Sequence, residues 1–236
     1  MGTFHFKQFD IDDHGCGMKI CSDSVTFGAW FFPPYTTAKS VIDIGTGSGL
    51  LSLIAAQFLP EASIIGLDID EGAVSAASLN FKMSPWAERL KVEHTDFSKF
   101  TPSQAPQLIV CNPPFFTNGA LASDKVRAAA RHEDSLTIPR LMRYANSLLT
   151  PTGHLGVILP SDRTDDTIFH AELAGMKLRR MCEIIPRNGK APIRTLFDFS
   201  RNDGPSVTET LFIRDKNGCP SNEYINLVDS LYVKIS

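Results

Sequence analysis

The 236-residue sequence has no apolar run that approaches the ~18 residues of a membrane span, and its first ten residues, MGTFHFKQFD, lack the apolar core of a signal peptide. Its five cysteines form no Cys-x-x-Cys pair and are odd in number, which argues against a disulfide framework and against a zinc site. The six histidines show no metal-ligand spacing either. These absences predict a cytoplasmic protein with no membrane segment and no metal.

The sequence also lacks a strong excess of charge of either sign. It has 23 lysines and arginines against 26 aspartates and glutamates, which gives a formal net charge of -3. This balance argues against a surface built throughout for nucleic acid, although a local basic stretch is compatible with it. With no internal repeat and no low-complexity linker, we expect one main globular domain and a monomer.

From residue 40 onward, short apolar segments alternate with amphipathic ones and the connections are short. This alternation predicts an α/β fold, a doubly wound, mostly parallel sheet of the Rossmann-like kind. Two late strands, 194–200 and 206–215, are predicted to form an antiparallel pair, and the chain before residue 36 is predicted to form small strands and turns. The other strands are predicted at 41–44, 63–68, 90–94, 108–111 and 153–160, with helices at 50–58, 71–83, 138–149 and 168–174.

A glycine-rich turn follows the first strand of this pattern, in the stretch VIDIGTGSG. Its spacing, G-x-G-x-G, fits neither the G-x-G-x-x-G dinucleotide fingerprint nor a Walker A loop, which needs a Gly-Lys-Ser/Thr. Gly45, Gly47 and Gly49 still permit a ligand to approach the main chain closely. The carboxylate of Asp43, at the strand end, can bind an ammonium group.

Two further acids stand at the ends of the next two strands. Asp68, followed by Ile69, lies where an open α/β sheet commonly places an acid on a ribose diol, and Asp96 can accept from an adenine amine while the ring of Phe97 covers the base. Three acids at successive strand ends, together with the glycine turn, resemble the class I S-adenosylmethionine-dependent methyltransferases. This resemblance implies S-adenosylmethionine as the cofactor and all of these residues, with Asn112 after the fourth strand, as its binding site.

The stretch IVCNPPFF places an amide, two prolines and two aromatic rings at the end of the fourth strand. The side-chain oxygen of Asn112 and the main-chain carbonyl of Pro113 can accept hydrogen bonds from an amine, and Pro114 restricts the direction of that carbonyl. Phe115 offers a face for stacking a planar substrate, and we place Phe116 beside it on the substrate side. The stretch therefore predicts a site that holds a planar, amine-bearing group beside a methyl donor.

The tetrapeptide resembles the (D/N)PP(Y/F) motif of amino methyltransferases, which act on adenine N6, on guanine N2 or on protein glutamine. Over nearly the whole chain, the sequence is similar to the bacterial tRNA1(Val) (adenine-37-N6)-methyltransferase family. The similarity lies in the segments FHFKQFDI, GMKICSDSVTFGAW, VIDIGTGSGLL, GLDID, NPPFF, ARHEDSLT and EYINLVDSLYVKIS.

This family resemblance implies methylation of adenine 37 at N6 and tRNA as the partner. It also implies an N-terminal extension, residues 1–39, that covers the active site of a methyltransferase domain at 40–236. Lys19, Ser22 and Asp23 would then lie near the cofactor or the target base.

Two alternatives remain open at this point. A methyltransferase with the same cofactor could instead act on guanine N2 or on a glutamine amide, or the chain could be an inactive RNA-binding protein with a methyltransferase fold. An RNA substrate requires positive surface, and residues 173–197 contain a single acid, Glu183. Arg127 and Arg131 follow the NPPFF motif and could approach phosphates beside the target base. The basic residues of 173–197 are Lys177, Arg179, Arg180, Arg187, Lys190 and Arg194.

Overall fold

The computed structural model describes residues 2–13, 20–113 and 136–234. A hairpin of β1 (Thr3–His5) and β2 (Asp10–Asp12) precedes the main sheet. That sheet consists of β3 (Ser40–Ile44), β4 (Ser63–Asp68), β5 (Leu90–His94), β6 (Leu108–Cys111), β7 (His154–Pro160), β8 (Lys177–Arg187), β9 (Arg194–Ser200) and β10 (Val207–Arg214). The helices of the described residues are α1 (Ser22–Phe31), α2 (Leu50–Phe58), α3 (Glu71–Met83), α4 (Ile138–Leu148), α5 (Thr164–Leu173) and α6 (Asn222–Val228).

The main sheet has the strand order β10-β8-β9-β7-β6-β3-β4-β5. All neighbouring pairs are parallel except those of β9, which is antiparallel to both β7 and β8. The predicted fold class, a Rossmann-like, mostly parallel sheet with an antiparallel pair near its C-terminus, is confirmed. Since β3, β4, β5 and β6 run in one direction, their carboxyl ends meet at a single edge, where open α/β sheets bind their ligands.

The membership of the antiparallel pair differs from the prediction. Residues 194–200 and 206–215 do form strands, but β8 lies between them, and β10 pairs with β8 in the parallel sense. The sequence of β8, KLRRMCEIIPR, is mostly half-buried, with only Cys182 and Ile184 fully buried. Because charged residues interrupt its apolar ones, this strand lacks the clear periodicity by which a strand is recognised.

Helix α1 is the second departure, because small strands and turns were predicted in this part of the chain. Its ten residues, SDSVTFGAWF, include eight that are buried, so the helix has no polar face and no amphipathic pattern. Phe27 and Phe31 are fully buried, in the same cluster as Leu53 and Ile54 of α2. Burial on all sides therefore stabilises a helix that the local sequence does not predict.

The two faces of the sheet carry separate hydrophobic clusters. One packs α1, α2, α3 and α6 against the sheet, and the other packs α4 and α5 against the opposite face. None of the helices in the described residues combines the length and the hydrophobicity needed to cross a membrane. The two layers of helices thus hold the carboxyl ends of the strands in fixed positions.

Candidate active site

The glycine-rich loop between β3 and α2 forms one wall of a cleft at the carboxyl edge of the sheet. Gly45, Gly47 and Gly49 have φ values of 70°, 58° and 89°, a region that favours glycine. A Cβ atom on Gly49 would lie 2.4 Å from the ring of Phe81, whereas one on Gly45 would meet no atom within 4 Å. Packing therefore requires a glycine at 49, and at 45 the missing side chain leaves the cleft open.

Asp43 lies beneath this loop and is only 1% exposed. Its Oδ2 accepts hydrogen bonds from Thr46 Oγ1 at 2.7 Å and from Ser52 Oγ at 2.8 Å. Burial raises the pKa of the Asp43 carboxyl from 3.8 to about 6, although the hydroxyls of Thr46 and Ser52 act in the opposite direction. The carboxylate thus holds the first turn of α2 against the loop.

This raised pKa predicts a pH-dependent cost to folding. Because the folded state binds the Asp43 proton more tightly than the unfolded chain does, the cost is greatest above pH 6 and disappears as the pH falls toward 4. We expect the unfolding free energy of the wild type, relative to that of Asp43→Asn, to rise by on the order of 3 kcal/mol between pH 7.5 and pH 4. Urea unfolding of both proteins at several pH values measures this, and a difference that does not vary with pH would contradict it.

Asp68 joins the end of β4 to the glycine loop. Its Oδ2 accepts a hydrogen bond from the Gly47 amide at 2.9 Å, and its Oδ1 accepts one from the Asp70 amide at 3.0 Å. Each carboxylate oxygen has a second lone pair, so both can accept a further donor. Ile69, the next residue, is 68% exposed.

Asp96 follows β5, and its Oδ1 accepts hydrogen bonds from the amide of Ser98 at 2.8 Å and from the hydroxyl of Ser98 at 2.9 Å. The ring of Phe97 is 5% exposed, packs edge-on against Tyr144 and has the guanidinium of Arg140 5.4 Å from its centroid. The side chain of Phe97 is therefore part of the core, with little ring surface left to cover a base.

Asn112, directly after β6, is buried, with 6% of its surface exposed. Its Nδ2 donates a hydrogen bond to Ser24 Oγ at 2.7 Å. Its Oδ1 has no hydrogen-bond partner within the described ranges 2–13, 20–113 and 136–234. A buried acceptor without a hydrogen-bond donor destabilises the folded protein by roughly 1–3 kcal/mol. The position of this oxygen is therefore typical of an acceptor that binds a ligand.

The cleft at this edge of the sheet is shallow and open to solvent. It brings together Gly45, Gly47 and Asn112 from the sequence prediction, and Asp43 lies directly below it. The residues that line it are Ile20, Cys21, Ser24, Gly45, Thr46, Gly47, Ser48, Leu50, Leu51 and Asn112. Lys19, Pro114, Phe115, Phe116, Arg127 and Arg131 lie outside the described residues.

Sequence reasoning missed Ser24 and Cys21, at the start of α1. The resemblance instead drew attention to Ser22 and Asp23. The carboxylate of Asp23 accepts a hydrogen bond from Arg194 Nε at 2.7 Å, which ties α1 to β9. Nothing in the local sequence marks Ser24, because its contact with Asn112 joins residues 88 positions apart.

No group of three or more His, Cys, Asp or Glu side chains is placed to hold a metal ion in the described part of the chain. The cleft therefore offers hydrogen-bond acceptors, loop amides and an open glycine wall as its means of binding.

The sequence relatives agree on one family. Residues 31–178 match the model of the methyltransferase small domain. The chain is 40% identical over 234 residues to the tRNA1(Val) (adenine(37)-N6)-methyltransferase of Vibrio cholerae, an alignment that covers 99% of this chain and 96% of that protein. A protein of the same name from Tolumonas auensis is 38% identical over 237 residues, covering 99% and 98% of the two chains.

Solved structures agree on the fold. A predicted O-methyltransferase from Agrobacterium tumefaciens aligns with a TM-score of 0.69 at 15% identity, covering 88% of this chain and 96% of that one. The ribosomal protein L11 methylase of Lactobacillus delbrueckii subsp. bulgaricus aligns with a TM-score of 0.55 at 15% identity, covering 76% and 78%. At this level of identity, the structural likeness supports a methyltransferase fold and says nothing of the substrate.

Proposed function

We propose that this protein transfers a methyl group from S-adenosylmethionine to N6 of adenine 37 in tRNA1(Val). The chain belongs to the family of the tRNA1(Val) (adenine(37)-N6)-methyltransferases and contains the methyltransferase small domain. The observation that carries this proposal is the buried Oδ1 of Asn112, an acceptor without a partner in the described residues, at the cleft.

An exocyclic amine on an aromatic base is a poor nucleophile, because its lone pair is delocalised into the ring. An acceptor that takes a hydrogen bond from such an amine fixes its orientation and stabilises the positive charge that develops on the nitrogen during methylation. Asn112 Oδ1 is suited to this role because Ser24 occupies the other end of the amide. In this proposal the carbonyl of Pro113 accepts a hydrogen bond from the second amine proton. Pro114, Phe115 and Phe116 contact the base itself.

Three features around the cleft support the placement of S-adenosylmethionine there. The open space beside Gly45 admits a ligand to the main chain, and the oxygens of Asp68, with the exposed Ile69 beside them, offer acceptors and an apolar surface to a nucleoside. In this proposal Asp96 accepts from the adenine amine and Asp43 supports the loop from below. When bound, S-adenosylmethionine supplies an electrophilic methyl group.

The acceptor amine needs no strong base from the protein. An amine that has gained a methyl group is acidic enough to lose a proton to water, so positioning and polarisation are the tasks left to the side chains. Asn112 and Pro113 therefore act on the orientation and charge of the amine in this proposal.

The N-terminal segment completes the site in this proposal. Residues 1–39 cover the cleft, since Ile20, Cys21 and Ser24 already line it, and Lys19, Arg127 and Arg131 contact the RNA next to the target base. We place the protein in the cytoplasm, where its tRNA substrate is found, and propose that it acts as a monomer. Sedimentation of the purified protein, alone and with tRNA, tests the oligomeric state.

Ser24 offers a test of how the Asn112 amide is held. Replacing it by alanine removes the acceptor for Asn112 Nδ2 and permits the amide to rotate, so we expect the turnover number to fall by about tenfold, the equivalent of one hydrogen bond. Ser24→Thr keeps the hydroxyl and should restore most of the activity. A Ser24→Ala enzyme with normal turnover would show that Asn112 is held by other contacts.

The proposed substrate is tested with two transcripts of tRNA1(Val), one carrying adenosine at position 37 and one carrying guanosine there. We expect tritium from labelled S-adenosylmethionine to enter only the first. Equal labelling of both would place the methyl group elsewhere in the tRNA. Labelling of neither, by an enzyme that binds the cofactor, would favour another acceptor.

A further inference from the structure

The basic stretch of 173–197 is divided between the two edges of the sheet. Lys177 pairs with Ser200, which in turn pairs with His154, the first residue of β7. Ile184 pairs with Arg194, which pairs with Pro160, the last residue of β7. The amino end of β8 therefore lies at the edge remote from the cleft, whereas residues 185–193 extend beyond the carboxyl edge, where the cleft opens.

The cations at the remote edge are used within the protein. Lys177 pairs with Asp203, and Arg180 stacks on Trp30, with 4.2 Å between its guanidinium and the ring centroid, while lying 3.5 Å from Glu209. These contacts tie β8 to α1 and to the chain around β10. The positive charge at this end is thus largely balanced by neighbouring acids.

The cations at the carboxyl edge are placed differently. Arg187 and Lys190 are exposed, and neither forms an ion pair with a carboxylate of the described residues. Arg214 of β10 lies directly opposite Arg187 in the parallel register. Like charges on facing positions of neighbouring strands destabilise a sheet, and an anionic ligand reverses the sign of this effect.

A short series of contacts joins this basic edge to Asn112. The Ser161 amide, just after β7, donates a hydrogen bond to the carbonyl of Ile193 at 3.3 Å. Arg194 binds Asp23, whose neighbour Ser24 accepts the hydrogen bond from Asn112. The basic edge and the acceptor amide are thus held in one rigid arrangement.

We propose that residues 187–190, together with Arg214, bind the phosphate backbone of the tRNA and so present the target base to the cleft. This inference rests on the proposed function for the identity of the RNA. A polyanion with regularly spaced charges suits three cations at one edge, and side chains that face solvent without a carboxylate partner are free to contact phosphates. The remote end of β8 takes no part in RNA binding.

Two double variants of equal charge separate the edges. Arg187→Gln/Lys190→Gln removes two charges from the carboxyl edge. Lys39→Gln/Lys177→Gln removes two from the remote edge, where Lys39 directly precedes β3 and pairs with Glu61 at 3.6 Å, both being well exposed. Exposed pairs of this kind contribute little to stability, so both variants should fold. Thermal unfolding of the two variants verifies this.

The measurement is the dissociation constant for tRNA1(Val) over a range of salt concentrations, by filter binding. For the carboxyl-edge variant we expect on the order of a tenfold weaker affinity and a salt dependence less steep by about two ions, since each lost phosphate contact removes about one. The remote-edge variant should match the wild type. Equal behaviour of both variants would overturn the proposal and exclude RNA as the occupant of this edge.

Failure of this inference can be told apart from failure of the proposed function. The binding measurement needs no turnover, so it decides the surface even if the wild type methylates no adenine. Conversely, the wild type could methylate adenine 37 while the carboxyl-edge variant keeps its tRNA affinity and its KM. This result would support the proposed function and contradict the proposed RNA-binding surface.

Discussion

Replacing Asn112 by alanine should lower the turnover number by about 10²–10³-fold, the usual effect of removing one preorganised polar group that acts on developing charge. The dissociation constant for S-adenosylmethionine should change by less than about twofold, because the proposed function assigns the oxygen of Asn112 to the amine of the base. The structure gives the reason, since Oδ1 is the buried acceptor without a partner in the described residues while Nδ2 is bound to Ser24. Single-turnover kinetics with saturating tRNA, together with calorimetric titration of the cofactor, separate the two quantities.

The Asn112→Ala result has two informative failures. Unchanged turnover would mean that the oxygen does not act on the amine and would remove the proposed mechanism. If the loss of turnover were matched by an equal loss of cofactor affinity, Asn112 would contribute to cofactor binding and not to the orientation of the amine. Ser24→Thr is the matched control, because it alters a neighbouring buried side chain and keeps its hydroxyl.

Replacing Asp68 by alanine should have the reverse profile. We expect the dissociation constant for S-adenosylmethionine to rise on the order of 100-fold. In the proposed site the two oxygens of Asp68 accept the ribose hydroxyls, and each charged hydrogen bond contributes roughly 1.5–3 kcal/mol. The hydrogen bond from Gly47 is lost as well, which loosens the loop. Turnover at saturating cofactor should fall much less. Calorimetric titration gives the affinity, and saturation kinetics give the turnover.

Asp70→Ala is the control for this experiment. Asp70 lies two residues further along and caps α3 by accepting a hydrogen bond from the Ala73 amide at 2.7 Å. Its loss should cost about 1 kcal/mol of stability and leave cofactor affinity unchanged. If Asp68→Ala binds the cofactor as the wild type does, Asp68 has no place in the site.

The parallel sheet and the strand-end acids were predictable because their signals are local. β3, β4 and β6 are short, mostly apolar runs. Asp43 and Asp68 lie in the last two residues of β3 and β4, and Asn112 directly follows β6, so all three stand at strand ends, where such sheets bind ligands. Once the strands are parallel, their ends must meet. The resemblance of the NPPF motif to that of amino methyltransferases then indicated an amine or amide nitrogen as the methyl acceptor.

The parts that sequence reasoning missed depend on long-range packing. Helix α1 has a buried, unpatterned sequence, and the partner of Ser24 is 88 residues away. The contacts of the Phe97 ring with Tyr144 and Arg140, 47 and 43 residues further along the chain, are equally invisible to local patterns. The position of β8 between β9 and β10 depends on how the strands pair in the sheet. The local sequence of this charged strand does not indicate that pairing.

Methylation of the N6 amine of adenine in RNA, at the cleft beside Asn112, can be measured directly. The protein is incubated with labelled S-adenosylmethionine and bulk RNA from bacteria that lack this activity, the RNA is digested, and the labelled nucleoside is identified by mass spectrometry. We expect N6-methyladenosine with the wild type and its loss with Asn112→Ala. N2-methylguanosine, label found only in added protein, or RNA binding without any transfer would contradict the proposed function.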